Sequence, residues 1–309
     1  MDFVFAKLIF TLRLENDVAD PYALFRIRSD FMKAFREAVC RRDGSCENCA
    51  ERCNCAYHAT FSQTLSEDGT AVRRHQKPSL PFVFDLPLLP GLPNAGQKIE
   101  IGLVLAGSAI NYVREYMAAV DLLFKPAVGS RKTVATMELV ESVTCTDFRN
   151  LILETGRTPA LDAVSTISAR DLVEMKTLDH RRIRMTITSP MRLLQDGKPV
   201  REFSFSLFVR PLLRRISSLA FYYYGNGLEV DYKWLSAASD SIVLVENDFR
   251  WIEWDKDRHG DRLGGIIGSG VWEGYLTDFH PFLLLGEYFH VGKGSPFGLG
   301  RYRMDGEAG

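Results

Sequence analysis

The sequence lacks an apolar run long enough to cross a membrane, which takes about 20 residues. The apolar stretch PSLPFVFDLPLLPGLP is interrupted by prolines. The N-terminus, MDFVFAKLIF, is also apolar, but Asp2 and Lys7 interrupt it and no small-residue cleavage site follows, so it does not resemble a signal peptide. We therefore expect a cytoplasmic protein without a membrane partner.

An excess of positive charge is also missing. The 38 Lys and Arg residues nearly cancel the 39 Asp and Glu residues, so the chain lacks the basic surplus of a general nucleic-acid binder. Any site for a polyanion must therefore be local. The 46% hydrophobic and 25% charged residues are typical of a globular protein, and 309 residues are enough for two domains.

Cysteine is scarce outside one short segment. Five of the six cysteines lie between Cys40 and Cys55, and without a secretion signal a disulfide framework is not expected. The spacing C-x5-C-x2-C-x5-C suits four thiolates around one metal ion, which would stabilise a loop because no coordination position stays open for substrate. Zinc is the simplest occupant, with an iron-sulfur cluster or free thiols as alternatives. The predicted ligands are Cys40, Cys46, Cys49 and Cys55.

Hydrophobic periodicity predicts an alternation of strands and helices in the first half. Period-two alternation marks a strand at Phe3–Arg13, and helical spacing marks a helix at Tyr22–Cys40 and another after Ser108. Further strands are predicted at Pro81–Leu86, Lys98–Leu105 and Thr133–Val140. The order strand, helix, strand, strand, helix, strand is ferredoxin-like.

The second half repeats this order from His180. Arg182 and Arg184 lie on the polar face of a predicted strand, and a helix starting near Phe205 contains Pro211, which predicts a kink or a break. Strands are predicted at 241–254 and 266–277, a helix at 280–288 and a last strand near Arg301. We therefore predict an α+β fold of two tandem ferredoxin-like (RRM-like, βαββαβ) domains. The first domain is predicted at 1–145, with a Cys-rich insertion at 40–57, and the second at 180–309. A linker at 146–179, with a helix near 169–175, is predicted to join them.

A glycine-rich stretch near the C-terminus, GEYFHVGKGSPFGLGRYRM at 286–304, indicates contact with phosphate. Five glycines around Lys293, followed by Arg301 and Arg303, allow tight turns that bring backbone N–H groups to an anion beside fixed positive charge. The spacing matches neither a Walker loop nor a dinucleotide fingerprint. An ordinary glycine-rich hairpin is the alternative, because glycine marks turns far more often than ligands.

Three phrases resemble the CRISPR-associated repeat-processing endoribonucleases of the RAMP superfamily, the Cas6 group: RRIRMTITSPMRLLQDGKPV (181–200), GGIIGSGVWEGYL (264–276) and LLLGEYFHVGKGSPFGLGRYR (283–303). The segment PFVFDLP and the Cys-rich segment are similar to one branch of that group. The resemblance implies two tandem ferredoxin-like domains, binding of CRISPR repeat RNA and cleavage of precursor crRNA into guide units. It also implies metal-independent attack of a ribose 2′-hydroxyl on the adjacent phosphate, leaving a 2′,3′-cyclic phosphate and a 5′-hydroxyl.

This chemistry needs a base, an acid and a cation, and histidine with a neighbouring Lys, Arg or Tyr is the usual solution near neutral pH. The position of the catalytic histidine varies in the family, so the resemblance does not select one of the six histidines. We take His58, after the Cys-rich segment, and His75, in a basic run with Lys77, as the catalytic candidates. His290 is expected to anchor the glycine-rich loop.

The resemblance also makes repeat RNA the expected polyanion. A non-catalytic RAMP subunit that holds crRNA is the alternative function, and a metal or redox protein centred on the cysteines is a third. Other CRISPR-associated subunits and a second copy of the chain are the further expected partners. The expected RNA contacts are Gly292, Lys293, Gly294, Ser295, Gly298, Gly300, Arg301 and Arg303 in the loop, with Arg182 and Arg184 as a second patch that Arg210, Arg214 and Arg215 could extend.

Overall fold

The computed structural model describes residues 3–40, 46, 49–67, 78–126, 133–225, 228, 230–256 and 262–305. These residues form two compact units. The first unit comprises Val4–Ile167, and the second comprises the described residues from Ser168 onward together with Phe3. No helix in the described ranges has the length and apolar character needed to span a bilayer.

The first unit is built on an antiparallel sheet in the order β2-β3-β1-β4-β5, and a short strand, β6, also pairs with β1. One helix follows β1 directly and another connects β3 to β4, so the central order β2-β3-β1-β4 is ferredoxin-like, as predicted. The elements are β1 (Val4–Leu14), α1 (Arg28–Val39), α2 (Ala56–Phe61), β2 (Phe82–Asp85), β3 (Lys98–Ala106), α3 (Val113–Phe124), β4 (Ala135–Val143), β5 (Arg149–Glu154) and β6 (Ile167–Ser168).

The core of the first unit lies between this sheet and its helices. Leu8, Phe10 and Leu12 alternate along β1 and are fully buried, as the period-two pattern requires. From α1, the ring of Phe31 meets Phe84 edge-on at 4.7 Å between centroids. Such edge contacts add to the hydrophobic gain of burial and fix the helix against the sheet.

The second unit repeats the arrangement. Its main sheet has the order β10-β12-β7-β13, with β11 also paired to β12, and β8 and β9 form a separate two-stranded hairpin. The long helix α5 follows β7, and α7 leads to β13, which completes a second ferredoxin-like unit. The elements are α4 (Ala169–Met175), β7 (Arg182–Met191), β8 (Leu194–Gln195), β9 (Lys198–Pro199), α5 (Phe205–Tyr224), α6 (Tyr232–Ala238), β10 (Val243–Asn247), β11 (Arg250–Lys256), β12 (Arg262–Glu273), α7 (His280–Phe289) and β13 (Tyr302–Asp305).

The structure corrects details of the elements predicted for the second unit. Helix α5 runs through Pro211, so of the predicted kink or break the break is wrong, and the buried residues Phe208 and Leu212 on either side keep both segments packed. The strand predicted at 241–254 is a pair of strands, β10 and β11, which each pair with β12. The residues predicted as a linker contain β5, which extends the first sheet, and α4, which belongs to the second unit. The domain boundaries themselves remain a prediction.

Candidate functional site

The glycine bend, His290–Arg301, joins α7 to β13 and is fixed to the end of β7. The Val291 amide donates to the Gly300 carbonyl at 3.1 Å, which closes the bend on itself. The Gly300 amide donates to the Pro190 carbonyl at 3.0 Å, and the Lys293 amide donates to the Arg192 carbonyl at 2.8 Å. These two bonds hold opposite sides of the bend against residues 190 and 192 of one chain segment.

Two glycines make this close approach feasible. Gly300 has a φ of +74°, and a Cβ at this position would lie 1.7 Å from the Val291 carbonyl oxygen. Gly292 has a φ of +96°, and its Cβ would lie 2.5 Å from the Arg192 carbonyl oxygen. Both positions therefore exclude a side chain on steric grounds as well as by backbone conformation.

The glycine bend has a buried part and an exposed tip. Ser295, Gly298 and Gly300, all predicted to contact RNA, are buried, so they serve the packing of the bend. Lys293 is exposed at its tip, between the partly exposed Gly292 and Gly294. In the described part of the chain, the amides of these two glycines donate to no acceptor. The tip thus offers two backbone donors beside an ammonium group, which is the arrangement that binds anions.

Ser189, which the sequence did not single out, supports the bend from β7. Its hydroxyl donates to the Gly298 carbonyl at 2.7 Å and accepts from the Arg301 amide at 2.8 Å. The residue is fully buried. Ser189 lies in β7, where apolar and polar residues alternate. Its role could not be predicted from the sequence, because the residues that it bonds are distant along the chain.

A buried carboxylate lies beneath β13. Glu287 on α7 accepts from the Met304 amide at 2.6 Å. Arg303 and Lys176 approach the same carboxylate, each at 3.8 Å. Burial raises the pKa of Glu287, while the Met304 amide and these cations act in the opposite direction. The charge of Arg303 is therefore partly compensated within the second unit.

The positive charge of the predicted second patch, Arg182 and Arg184, is compensated more fully by carboxylates. Arg182 donates to Glu246 at 2.8 Å and also pairs with Glu273, and Arg184 donates to Glu246 at 2.8 Å. Two arginines thus share two carboxylates on one face of the sheet. This face carries less free positive charge than the sequence pattern indicated.

Two arginines of α5 also have local partners. Arg210 pairs with Asp240 at 2.9 Å. Arg215 donates through Nε to the Phe289 carbonyl at 2.6 Å, at the end of α7, and burial lowers the pKa of Arg215 to about 10. Arg215 therefore caps the helix that leads into the glycine bend.

The catalytic candidates belong to the first unit. His58 lies on α2 and is partly exposed, next to Tyr57, whose ring packs 5.0 Å from that of Phe61. His75 and Lys77 lie outside the described residues. Their assignment as base, acid or cation stays a prediction.

Two other histidines stack on each other. The rings of His180 and His280 lie 5.3 Å apart, and His280 Nε2 is 3.1 Å from the Asp179 carbonyl. Burial lowers the pKa of His280. His290 is almost completely buried at the start of the glycine bend, and His259 lies outside the described residues.

The structural zinc predicted from cysteine spacing is not supported. Cys40, Cys46, Cys49 and Cys55 are described, partly exposed and not in disulfides. Across the described ranges, no group of three or more His, Cys, Asp or Glu side chains is arranged to hold a metal ion. Spacing along the chain limits which thiols can approach one another. Whether four thiols meet at one metal ion depends on the path of the loop between them.

Two family models match the chain. The model described as CRISPR-associated endoribonuclease Cas6 matches residues 185–302, from β7 through the glycine bend. A second model, described as an N-terminal domain, matches residues 3–165. The Cas6 model covers less than half of the chain, so the likeness to the Cas6 family holds for that range. No curated protein sequence matches the chain.

Solved Cas6 structures share the fold. Cas6 of Thermus thermophilus is 11% identical with a TM-score of 0.56, over 98% of this chain and 99% of that chain. A Cas6 substrate-mimic complex is 16% identical with a TM-score of 0.55, at the same coverage of both chains. A partial Cas6-RT-Cas1–Cas2 complex is 11% identical with a TM-score of 0.53, over 99% of this chain and 46% of that chain. The predicted tandem ferredoxin-like fold is confirmed.

The substitution Gly300→Ala tests whether the bend depends on close backbone approach. We expect it to lower the free energy of unfolding by more than about 2 kcal/mol, because a Cβ adds a collision with Val291 to the strain of a left-handed conformation. The matched control is Gly225→Ala, which has a φ of +72° but open space around it. It should lose only about 1–2 kcal/mol in the same urea titration. Equal losses in both variants would contradict the steric explanation.

The raised pKa of Glu287 predicts a pH dependence of stability. Its contribution is full below the ordinary glutamate pKa of about 4.3 and is lost as pH rises through the higher pKa of the folded state. Glu287→Gln keeps an acceptor for Met304 and removes the titration, so its free energy of unfolding should fall less than that of the wild type as pH rises from about 4 to 7. Exposed Glu174→Gln is the control and should follow the wild type. Superimposable pH curves for all three proteins would show that Glu287 does not act this way.

Proposed function

We propose that this chain is a metal-independent endoribonuclease that binds CRISPR repeat RNA and cuts precursor crRNA into guide units. The observation that carries the proposal is the match of residues 185–302 to the Cas6 endoribonuclease model, a range that includes the glycine bend. The exposed tip of that bend has the donors and the charge that a sugar-phosphate strand requires. Repeat RNA is the substrate because Cas6 enzymes are CRISPR-associated.

The proposed reaction is an internal transesterification. The ribose 2′-oxygen attacks the adjacent phosphorus and loses its proton to a base, and the bond from phosphorus to the 5′-oxygen breaks as an acid protonates that oxygen. The products are a 2′,3′-cyclic phosphate and a 5′-hydroxyl. Positively charged side chains stabilise the added negative charge on the phosphate oxygens, so the protein's own groups supply what a metal ion would otherwise provide.

His58 is the candidate base or acid within the described residues, and His75 with Lys77 is the candidate pair beyond them. An imidazole suits both roles because its ordinary pKa lies near neutrality. His58 is partly exposed and sits on a short helix rather than in the core, so substrate can reach its ring. A general acid or base contributes about 10²–10⁴-fold to rate, which sets the size of the expected loss.

The similarity to a partial Cas6-RT-Cas1–Cas2 complex supports a second element of the proposal, namely that the chain works beside other CRISPR-associated proteins. A homodimer is the other assembly that we propose. Size measurement of the purified chain, alone and with such partners, distinguishes these assemblies.

Cleavage of labelled repeat RNA in the presence of EDTA tests the function. We expect a discrete product with a 2′,3′-cyclic phosphate, identified by its resistance to phosphatase until acid opens the ring. His58→Ala or His75→Ala should lower the single-turnover rate by about 10²-fold or more. His180→Ala, an exposed histidine of the second unit, is the control and should retain the wild-type rate.

The possible outcomes separate the candidate roles. Binding without any cut would favour a non-catalytic RAMP subunit, and loss of cutting in EDTA would contradict the metal-independent mechanism. Unchanged rates in both the His58 and His75 variants would exclude these histidines while leaving the nuclease assignment intact.

A further inference from the structure

Arg192 is the residue that connects β7 to the tip of the glycine bend. It follows Met191, the last residue of the strand, and its carbonyl accepts from the Lys293 amide at 2.8 Å. Its carbonyl oxygen also lies 2.5 Å from the place that a Cβ on Gly292 would occupy. The backbone of Arg192 is therefore in contact with the exposed tip. The predicted RNA contacts did not include it.

The guanidinium of Arg192 has buried nitrogen atoms without hydrogen-bond partners among the described residues. These atoms are Nε and Nη1. The neighbouring Met191 and Leu193 are fully buried apolar residues and offer no side-chain acceptor. Shielding a cationic donor from water without pairing it costs free energy. An unsatisfied buried donor of this kind calls for an explanation such as a functional role or a bound ion.

Several other arginines of this unit have identified partners. Arg182 and Arg184 are paired with Glu246, and Arg210 is paired with Asp240. Even the half-buried Arg215 has a carbonyl partner. No carboxylate in the described part of the chain pairs with Arg192, so no ion pair compensates its charge there.

We propose that Arg192 contacts a phosphate of the bound RNA at the tip of the glycine bend, together with Lys293 and the amides of Gly292 and Gly294. This assignment rests on the proposed RNA-binding function. A guanidinium presents two parallel donors that match two phosphate oxygens, whereas Lys293 supplies a single flexible charge. Arg192 thus sets where the strand crosses the bend, and Lys293 adds affinity without fixing its orientation.

The test is the salt dependence of RNA affinity. A fluorescently labelled repeat RNA with 2′-O-methyl riboses binds but cannot be cut, because the attacking hydroxyl is blocked. Arg192→Ala should weaken its binding by about 10-fold or more, as expected for loss of a charge-assisted contact. It should also reduce the slope of log affinity against log salt by about 0.7, the value for one phosphate of a single strand. Arg192→Lys should keep the slope and lose part of the affinity, since the charge remains and the two-pronged geometry does not.

Arg201→Ala is the matched control. It removes the same charge from the same unit, but the guanidinium it removes is already paired with Glu253 at 3.7 Å. Its slope and affinity should equal those of the wild type. The free energy of unfolding of Arg192→Ala without RNA should be unchanged or higher, because an unpaired buried cation is removed; a lower value together with an unchanged slope would assign Arg192 a structural role and overturn the proposal.

The result also separates this inference from the function on which it rests. If the wild type cuts unmodified repeat RNA but Arg192→Ala keeps the wild-type salt slope, only the assignment of Arg192 fails. If the wild type binds no repeat RNA at any salt concentration, the proposed function and the inference both fail.

Discussion

The arrangement of the second unit depends on one close backbone approach, between Gly300 and the carbonyl of Val291. It folds the segment after α7 back on itself and brings its two sides to two carbonyls at the end of β7, those of Pro190 and Arg192. Because these bonds fix the backbone of the bend, its binding properties depend on which groups are exposed. The tip that faces outward carries Lys293 between two amides without partners in the described part of the chain, and these are suited to a phosphate.

The basic residues of the second unit also divide into those paired with carboxylates and those without such a partner. The chain has almost no net charge, and several of its basic residues are paired with carboxylates in the second unit. Pairing of this kind removes long-range attraction for a polyanion and leaves recognition to a few positions. Lys293 and Arg192 have no carboxylate partner among the described residues.

Much of the fold could be predicted from the sequence, because hydrophobic periodicity is local: β1, β3, α4 and α7 all lie within a few residues of their predicted bounds. The bend was also visible, since glycine clustering beside lysine is a local signal. Pairing across elements was not. The partners of Arg182 and Arg184 lie more than 60 residues away along the chain, as does the carbonyl that Ser189 bonds. Cysteine spacing predicted a zinc site that the described residues do not form, because convergence of side chains is a tertiary property.

Amide hydrogen exchange of the chain with and without 2′-O-methyl repeat RNA tests the central claim most directly. If the tip of the bend contacts the sugar-phosphate strand, the amides of Gly292 and Gly294 will exchange rapidly in the free protein and slow when RNA binds. The Gly300 amide, already bonded to Pro190, will be protected in both states. RNA that binds tightly while the Gly292 and Gly294 amides exchange at their free rates would contradict the account.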